Sequence, residues 1–292
     1  MALAERISIS RYSYAHCGGE AAVLKCACAE ELENAAAALL KDRAPFLVLG
    51  GLSNVLLSDA GWDGTILLNR GGEIEVQPDK DGSMILSADS GTNMASIVSF
   101  CEKNDLTGLE WAAGLPGTLG GAVYGNAGAF GGNIAGNFVS AWALDEKGNR
   151  VRFTPQDMDF RYRSSALKAG NPKAVLLKCA LSVRMSEEKG AVKAEGDKNR
   201  KKRHDSQPYG MGSLGSVFRN PEGDSAGRLI ELAGLKGKRI GKAEISTKHA
   251  NFIVTEPGVR SADYWELLNM ARNAVREQFQ IQLVPEIELI GF

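Results

Sequence analysis

The sequence predicts a chain of mixed helices and strands in three parts, on three observations. Apolar strands and an amphipathic helix alternate over the first seventy residues. A run of glycine and alanine then occupies 108–136. A second helix-and-strand set follows a highly charged segment. In the first part AAVLKCACA reads as a strand, and Glu30 to Lys41 as a helix, from its Ala/Leu content and helical spacing. PFLVLGG is a buried strand running into glycines, and TILLNR is another strand. This β-α-β order favours a parallel sheet. In the second part SMILSADSG is a strand. TNMASIVSFCEKN is a helix with Thr92 as expected N-cap and apolar positions 94, 97, 98 and 101 on one face. FVSAWALDEKGNRVRF is a hairpin turning at Glu146-Lys147-Gly148-Asn149, and AVLLKCALSVRM is a strand. The charged stretch from Ser186 to Asp205 is an exposed helix or linker. The last part carries SVFRNP, the helix DSAGRLIELAGL, the strand ANFIVT, the helix SADYWELLNMARNAVREQF and the strand VPEIELIGF.

Composition narrows the function classes. The 292 residues suffice for two or three compact units, and 44% hydrophobic with 24% charged residues is a globular balance. A net charge of −1 supplies no field to draw in nucleic acid. Five cysteines are an odd count without repeated CxxC spacing, and the three histidines are scattered, so no metal site is expected. Free thiols in a reducing cytoplasm are the default. The N-terminus has no long apolar run, so neither a signal peptide nor a membrane span is expected.

Two segments carry chemistry. In Leu47-Val48-Leu49-Gly50-Gly51-Leu52-Ser53-Asn54 a buried strand ends in small residues, letting backbone N–H groups approach a phosphate. By itself this is also what an ordinary turn looks like, and it is no Rossmann fingerprint, because no GxGxxG opens a helix. The stretch GLPGTLGGAVYGNAGAFGG at 114–132 says more. It has glycine or alanine at most positions without the Ser/Gln/Lys bias of a flexible linker, as suits a backbone lying against a large flat ligand.

That stretch, preceded by GLEWAA, resembles the signature of UDP-N-acetylenolpyruvylglucosamine reductases. So do LVLGGLSNVLLSDAGWDGTILLN, FRYRSSALK at 160–168, the block at 215–254 from GSVFRNPEGD to KHANFIV, and VPEIELIG at 284–291. The blocks keep the family's order and span nearly the whole chain. The resemblance implies an α+β fold: a two-lobed vanillyl-alcohol-oxidase-like FAD-binding domain (lobes 1–70 and 71–188), a charged linker at 189–205, and a C-terminal α+β substrate-binding domain at 206–292. It implies non-covalent FAD, NADPH as hydride donor, a UDP-sugar substrate, and a cytoplasmic monomer making peptidoglycan precursors. By the same resemblance Ser216 is the proton donor, Arg163 binds the enolpyruvyl carboxylate, and Glu286 is a second acidic group. Gly50, Gly51, Leu52, Ser53, Asn54, Gly114, Gly117, Thr118, Gly120, Gly121, Ala122 and Asn126 are expected around the cofactor. Tyr162, Gln207, Asn220 and His249 are expected around the substrate.

The chemistry asks for such a set. An enolpyruvyl double bond is electron-rich and accepts hydride poorly, so a cation on its carboxylate must stabilise developing charge. The carbon next to the hydride acceptor must be protonated from a fixed direction. A serine hydroxyl, being a weak acid, does this only with a suitable neighbour and a very basic acceptor. Taken singly, Ser216 reads as a turn residue, Arg163 as a surface cation and Glu286 as a solvated carboxylate. Lys248, Arg219 and the basic run 200–203 suit the diphosphate, while Trp111 reads as packing. An FAD-linked oxidase of the same fold, or a flavin-binding protein without turnover, are the alternatives, and an oxidase has no use for GSVFRNP. Two departures from the family stand out. Leu52 occupies the place of a third glycine, so glycine there is expected to tighten FAD if the position has positive φ. The segment from Arg163 to Ser216 is also short, as in members that lack an extra tyrosine-bearing loop.

Overall fold

The computed structural model describes residues 4–292. Its contacts gather the chain into two compact units. One holds Val23–Gly51 and Gly64–Lys202; the other holds Glu5–Ala22, Leu52–Asp63 and Arg203–Phe292. The second unit thus recruits two early segments of chain to the C-terminal part.

In the first unit the strand Phe46–Leu49 pairs in parallel with Thr65–Asn69, from Phe46↔Thr65 to Leu49↔Leu68. Glu20–Cys26 lies on the other side of Thr65–Asn69. The expected helix forms as Ala29–Lys41 and buries Leu32, Ala35 and Ala36. These i, i+3, i+4 positions share one face and pack with Leu67, Leu144, Val175 and Leu177. Its N-terminus has no local side-chain cap. Instead the Asp89 carboxylate, 60 residues on, accepts from the Ala29 N–H at 2.9 Å.

A larger antiparallel sheet runs in the order Arg150–Phe153, Phe138–Asp145, Ala174–Met185, Ser83–Asp89, Ile74–Pro78, with Leu106–Thr107 also pairing to Ala174–Met185. The twelve-residue strand Ala174–Met185 is its backbone, because only a strand of that length can serve neighbours on both sides over different stretches. The hairpin turns where expected. There the Asp145 carboxylate accepts from the N–H groups of Lys147 and Asn149, both at 2.8 Å, and Gly148 takes φ +83°. The helix Met94–Lys103 buries Met94, Ile97, Val98 and Cys101, the four positions read from the spacing. Its N-cap is Asn93, however, not Thr92. Thr92 falls one residue early because its main chain is already used: its N–H donates to Asp89 O and its carbonyl accepts from Leu119 N, both at 2.9 Å. The charged segment forms the helix Ala191–Ser206. It is exposed on most sides, but Gly196 lies against the Glu102 carboxylate and Arg200 pairs with Glu102 at 2.8 Å.

In the second unit an antiparallel sheet runs Gly212–Ser216, Phe252–Thr255, Ala243–Ile245, Arg239–Ile240. The helices Ala226–Leu232 and Ser261–Phe279 pack in the same core, which includes Leu214, Phe218, Leu229, Ile253, Tyr264 and Leu268. The terminal strand Glu288–Ile290 pairs in parallel with Val55–Leu57. No helix among the described residues is long and apolar enough to cross a membrane.

Candidate functional site

The strand Phe46–Leu49 delivers the chain to Gly50 and Gly51, whose carbonyls accept from one side chain. Arg70 Nε reaches Gly50 O at 3.2 Å, and Arg70 Nη2 reaches Gly51 O at 3.3 Å. In a planar trans peptide the N–H points opposite to the carbonyl. The N–H groups of Gly51 and Leu52 therefore face away from Arg70 together, and Leu52 has φ +51°. Successive N–H groups around a left-handed residue form an anion-binding nest, which fits the phosphates of a dinucleotide. Arg70 was not among the residues singled out from sequence. An arginine after a strand carries no local signal of such a role.

Glycine is required here for close approach. A Cβ on Gly50 would sit 2.1 Å from Thr118 Oγ1, and one on Gly51 would sit 2.6 Å from Gly117 Cα. Loop 50–51 thus lies against loop 117–118, and Gly117 itself takes φ +97°. Gly120 lies against Ser90, where a Cβ would come within 2.9 Å of Ser90 Cβ. Ser90 is buried and takes part in four bonds: its N–H donates to Leu177 O at 2.8 Å, its carbonyl accepts from Gly120 N at 2.8 Å, and its Oγ accepts from Asn69 Nδ2 at 2.8 Å and donates to Leu176 O at 2.6 Å. Gly121 is exposed, Ala122 is buried, and Gly114 turns at φ +74°. Most of these glycines serve contact between backbone segments; Gly121 is exposed, while Gly51 and Leu52 of the nest are buried. Trp111 packs under the stretch: a Cβ on Gly132 would strike its ring at 2.3 Å, and its Nε1 donates to Asn137 Oδ1 at 3.1 Å.

Arg163 sits in a tight turn. Arg161 and Ser164 exchange two backbone hydrogen bonds, at 3.0 and 3.1 Å, and Arg163 takes φ +54°. Its guanidinium lies 5.4 Å from the centre of the exposed Tyr162 ring, a cation–π distance. Asn126, expected near the cofactor, is buried with both ends of its amide engaged. Nδ2 donates to Arg161 O at 2.9 Å, and Oδ1 accepts from Ala135 N at 3.0 Å.

In the second unit the structure brings the main-chain segments that carry Ser216 and Glu286 side by side. Ser216 ends the strand Gly212–Ser216, just after Gly215 at φ +77°, where the register with Phe252–Thr255 shifts. Val217 follows, and its carbonyl accepts from Glu286 N at 2.8 Å. Val217 N in turn donates to Asn251 O at 2.8 Å. The buried Asn251 amide holds the next residue at both ends: Oδ1 accepts from Phe218 N at 3.0 Å and Nδ2 donates to Phe218 O at 2.8 Å. Asn251 was missed from sequence, since it lies in an ordinary apolar strand pattern. Asn54, two residues beyond Leu52, donates from Nδ2 to Glu286 O at 3.1 Å. Ser53, beside it, is half-buried.

The remaining expected substrate residues scatter over the second unit. Exposed Asn220 accepts through Oδ1 from Ala226 N at 3.1 Å and so caps the helix Ala226–Leu232. Half-buried Gln207 accepts from Arg203 at 3.3 Å. His249 accepts at Nδ1 from Asn251 N at 3.2 Å and lies edge-on to Phe252. Burial holds its imidazole below the ordinary range, so at neutral pH it is uncharged with Nε2 as its donor. Burial also pushes up the thiols of Cys17 and Cys26, to about 11, and those of Cys101 and Cys179, to about 12. None of these four is a thiolate near neutral pH.

A glycine-backed nest after a parallel strand, with a glycine-rich stretch against it, suits the phosphates of a dinucleotide such as FAD. Residues 20–154 accordingly match the family described as FAD binding domain. Residues 207–290 match the C-terminal domain of UDP-N-acetylenolpyruvoylglucosamine reductase. Proteins of that name are 37% identical in Bacillus velezensis, covering 86% of this chain and 81% of the relative, and 35% identical in Listeria monocytogenes, covering 97% and 93%. The crystal structure of UDP-N-acetylenolpyruvylglucosamine reductase from Thermus caldophilus superposes with a TM-score of 0.81 at 31% identity, covering 98% of both chains. The chain belongs to the UDP-N-acetylenolpyruvoylglucosamine reductase family.

Proposed function

We infer that the protein reduces the enolpyruvyl group of UDP-N-acetylglucosamine enolpyruvate to UDP-N-acetylmuramate, an NADPH-dependent step of peptidoglycan precursor synthesis that uses non-covalent FAD. Family membership supports the reaction. The observation that carries the residue assignment is the adjacency of Ser216 and Glu286 through the Val217–Glu286 backbone bond. FAD held by the protein would supply the hydride chemistry between NADPH and the methylene carbon of the enolpyruvyl group.

The protein residues do the rest. The nest at Gly51 and Leu52 would hold the FAD diphosphate, with Arg70 fixing the loop from behind. Arg163 binds the enolpyruvyl carboxylate and stabilises the negative charge that hydride addition places on it. The Ser216 hydroxyl donates its proton to the carbon bearing the carboxylate, completing saturation of the double bond. Gly215 and the Asn251 clamp on Phe218 hold Ser216 in place, so the proton arrives from a fixed side. Glu286 is the second acidic group at that carbon. All five cysteines are free and four are buried, which supports a reducing, cytoplasmic setting.

The test separates the two half-reactions. Ser216→Ala is expected to let NADPH reduce the flavin at nearly the parent rate, while reoxidation by the enolpyruvyl sugar falls about 10²–10⁴-fold. Stopped-flow flavin absorbance reads both. Reoxidation at the parent rate would remove Ser216 from the chemistry, and no substrate-dependent NADPH oxidation by the parent enzyme would remove the reaction itself.

A further inference from the structure

We propose that Asn126 and Gly128 are positioning residues for the Arg163 guanidinium, and that this is what the Asn-Ala-Gly step of the glycine-rich stretch does. The inference rests on the reading of Arg163 as the carboxylate anchor.

The turn that carries Arg163 is not self-sufficient. Arg163 at φ +54° occupies a region where a long L side chain is strained, and only surrounding structure can hold it there. The two backbone bonds between Arg161 and Ser164 close the turn but do not attach it to anything. Asn126 makes one attachment, and buried Ser165 beside the turn, whose Oγ donates to Tyr124 O at 2.7 Å, makes another. Asn126 is 7% exposed and itself left-handed at φ +45°, a conformation asparagine tolerates well. Its Nδ2 holds the carbonyl of Arg161, the first residue of the turn, and its Oδ1 holds the N–H of Ala135. Exchanging O and N would break both bonds, so the amide has one orientation.

The other end of this clip reaches the surface on which the guanidinium rests. Gly128–Ala129 and Gly132–Asn133 form a short antiparallel pair, which leads to Ile134 and Ala135. A Cβ on Gly128 would lie 3.2 Å from Arg163 Nη1, 2.9 Å from Gly132 O and 3.0 Å from Asn133 Cβ. The guanidinium therefore lies close against the bare backbone of Gly128. One amide thus ties the backbone that carries Arg163 to the hairpin that supports its head group. Arginine has many rotamers, and fixing both its root and its tip is what gives its charge a defined position.

The experiment uses the FAD-loaded enzyme, reduced with NADPH and mixed with UDP-N-acetylglucosamine enolpyruvate over a range of concentrations. Asn126→Gly keeps the left-handed backbone and removes the amide. It is expected to slow reoxidation, and to raise the half-saturating substrate concentration, on the order of 10- to 100-fold. The change in flavin reduction should be much smaller. In an Arg163→Ala background the same substitution is expected to add almost nothing, because there is no guanidinium left to place. Gly128→Ala, whose Cβ meets Gly132 O at 2.9 Å and so displaces the hairpin itself, should repeat the pattern with intact FAD content. Equal slowing of both half-reactions with loss of FAD would make Asn126 a cofactor or folding residue and overturn the inference. So would an undiminished effect of Asn126→Gly in the Arg163→Ala background. If Arg163→Ala alone reoxidises like the parent, the reading of Arg163 fails. If Arg163→Ala is slow while Asn126→Gly and Gly128→Ala are normal, only this inference fails.

Discussion

Leu52 sets two opposed effects against each other at one position. It has φ +51°, a left-handed conformation that costs an L side chain about 1–2 kcal/mol. Its side chain is also 3% exposed, and truncating a buried leucine to alanine costs about 2–5 kcal/mol. Burial outweighs strain, so Leu52→Gly is expected to lower stability by about 1.5–4 kcal/mol although it relieves the strain. Leu52→Ala loses the same packing and keeps the strain. It is expected to fall below Leu52→Gly by roughly 0.5–1 kcal/mol, the strain less the extra unfolded-state entropy of glycine. At an ordinary position the order of the two would be reversed. Thermal melts of the FAD-saturated proteins resolve this, since 1 kcal/mol moves the midpoint of a chain this size by about 2 °C. The cofactor is affected differently. The strain is present in the folded chain before any ligand binds, so it weighs on folding and not on affinity. The sequence-based expectation that glycine would tighten FAD therefore changes: with its buried anchor gone, the loop should bind FAD no better than the parent. An alanine variant at least as stable as the glycine one, or a glycine variant with clearly tighter FAD, would refute the reasoning.

Other perturbations test other parts of the fold. Gly51→Ala places a Cβ 2.6 Å from the main chain of Gly117, where neither backbone can yield, and should give protein with little flavin absorbance per chain. For His249, burial lowers the folded pKa below the unfolded value of about 6.5, so the unfolded chain binds more protons in that window. Its contribution to stability is fully present above that pH and is lost as pH falls through the lowered value. His249→Gln should flatten this acid-side loss, and an NMR titration of His249 with a normal or raised midpoint would contradict the burial account. The Tyr264 hydroxyl is buried with no hydrogen-bond partner among the described residues. Tyr264→Phe should accordingly match or exceed the parent, by up to about 1 kcal/mol, in the melt; a clear loss would reveal a partner such as a bound water.

The local elements were readable because their causes are local. The helix Ala29–Lys41, the buried face of Met94–Lys103 and the turn at 146–149 each follow from residues three or four apart along the chain. The one-residue error at Thr92 shows where this stops. Thr92 has the chemistry of a cap, but Asp89 and Leu119 claim its main chain first, and Leu119 is not a sequence neighbour. The same holds for the first helix, whose N-terminus is satisfied by Asp89 rather than by the residue before it.

The site divides in the same way. Sequence alone marked the segments proposed for it, because a glycine-rich backbone and the blocks around Arg163, Ser216 and Glu286 are contiguous features that any fold of the chain must carry. Tertiary structure alone decided what each residue does there. It turned Leu52 into a strained but buried anchor and set Arg70 behind the nest. It committed Asn126 to Arg161, 35 residues away, and Asn54 to Glu286, 232 residues away. A side-chain amide or guanidinium satisfies whichever polar group the fold brings within about 3 Å, the reach of a hydrogen bond. Nothing along the chain records which group that will be, so these roles appear only once the distant segments have packed.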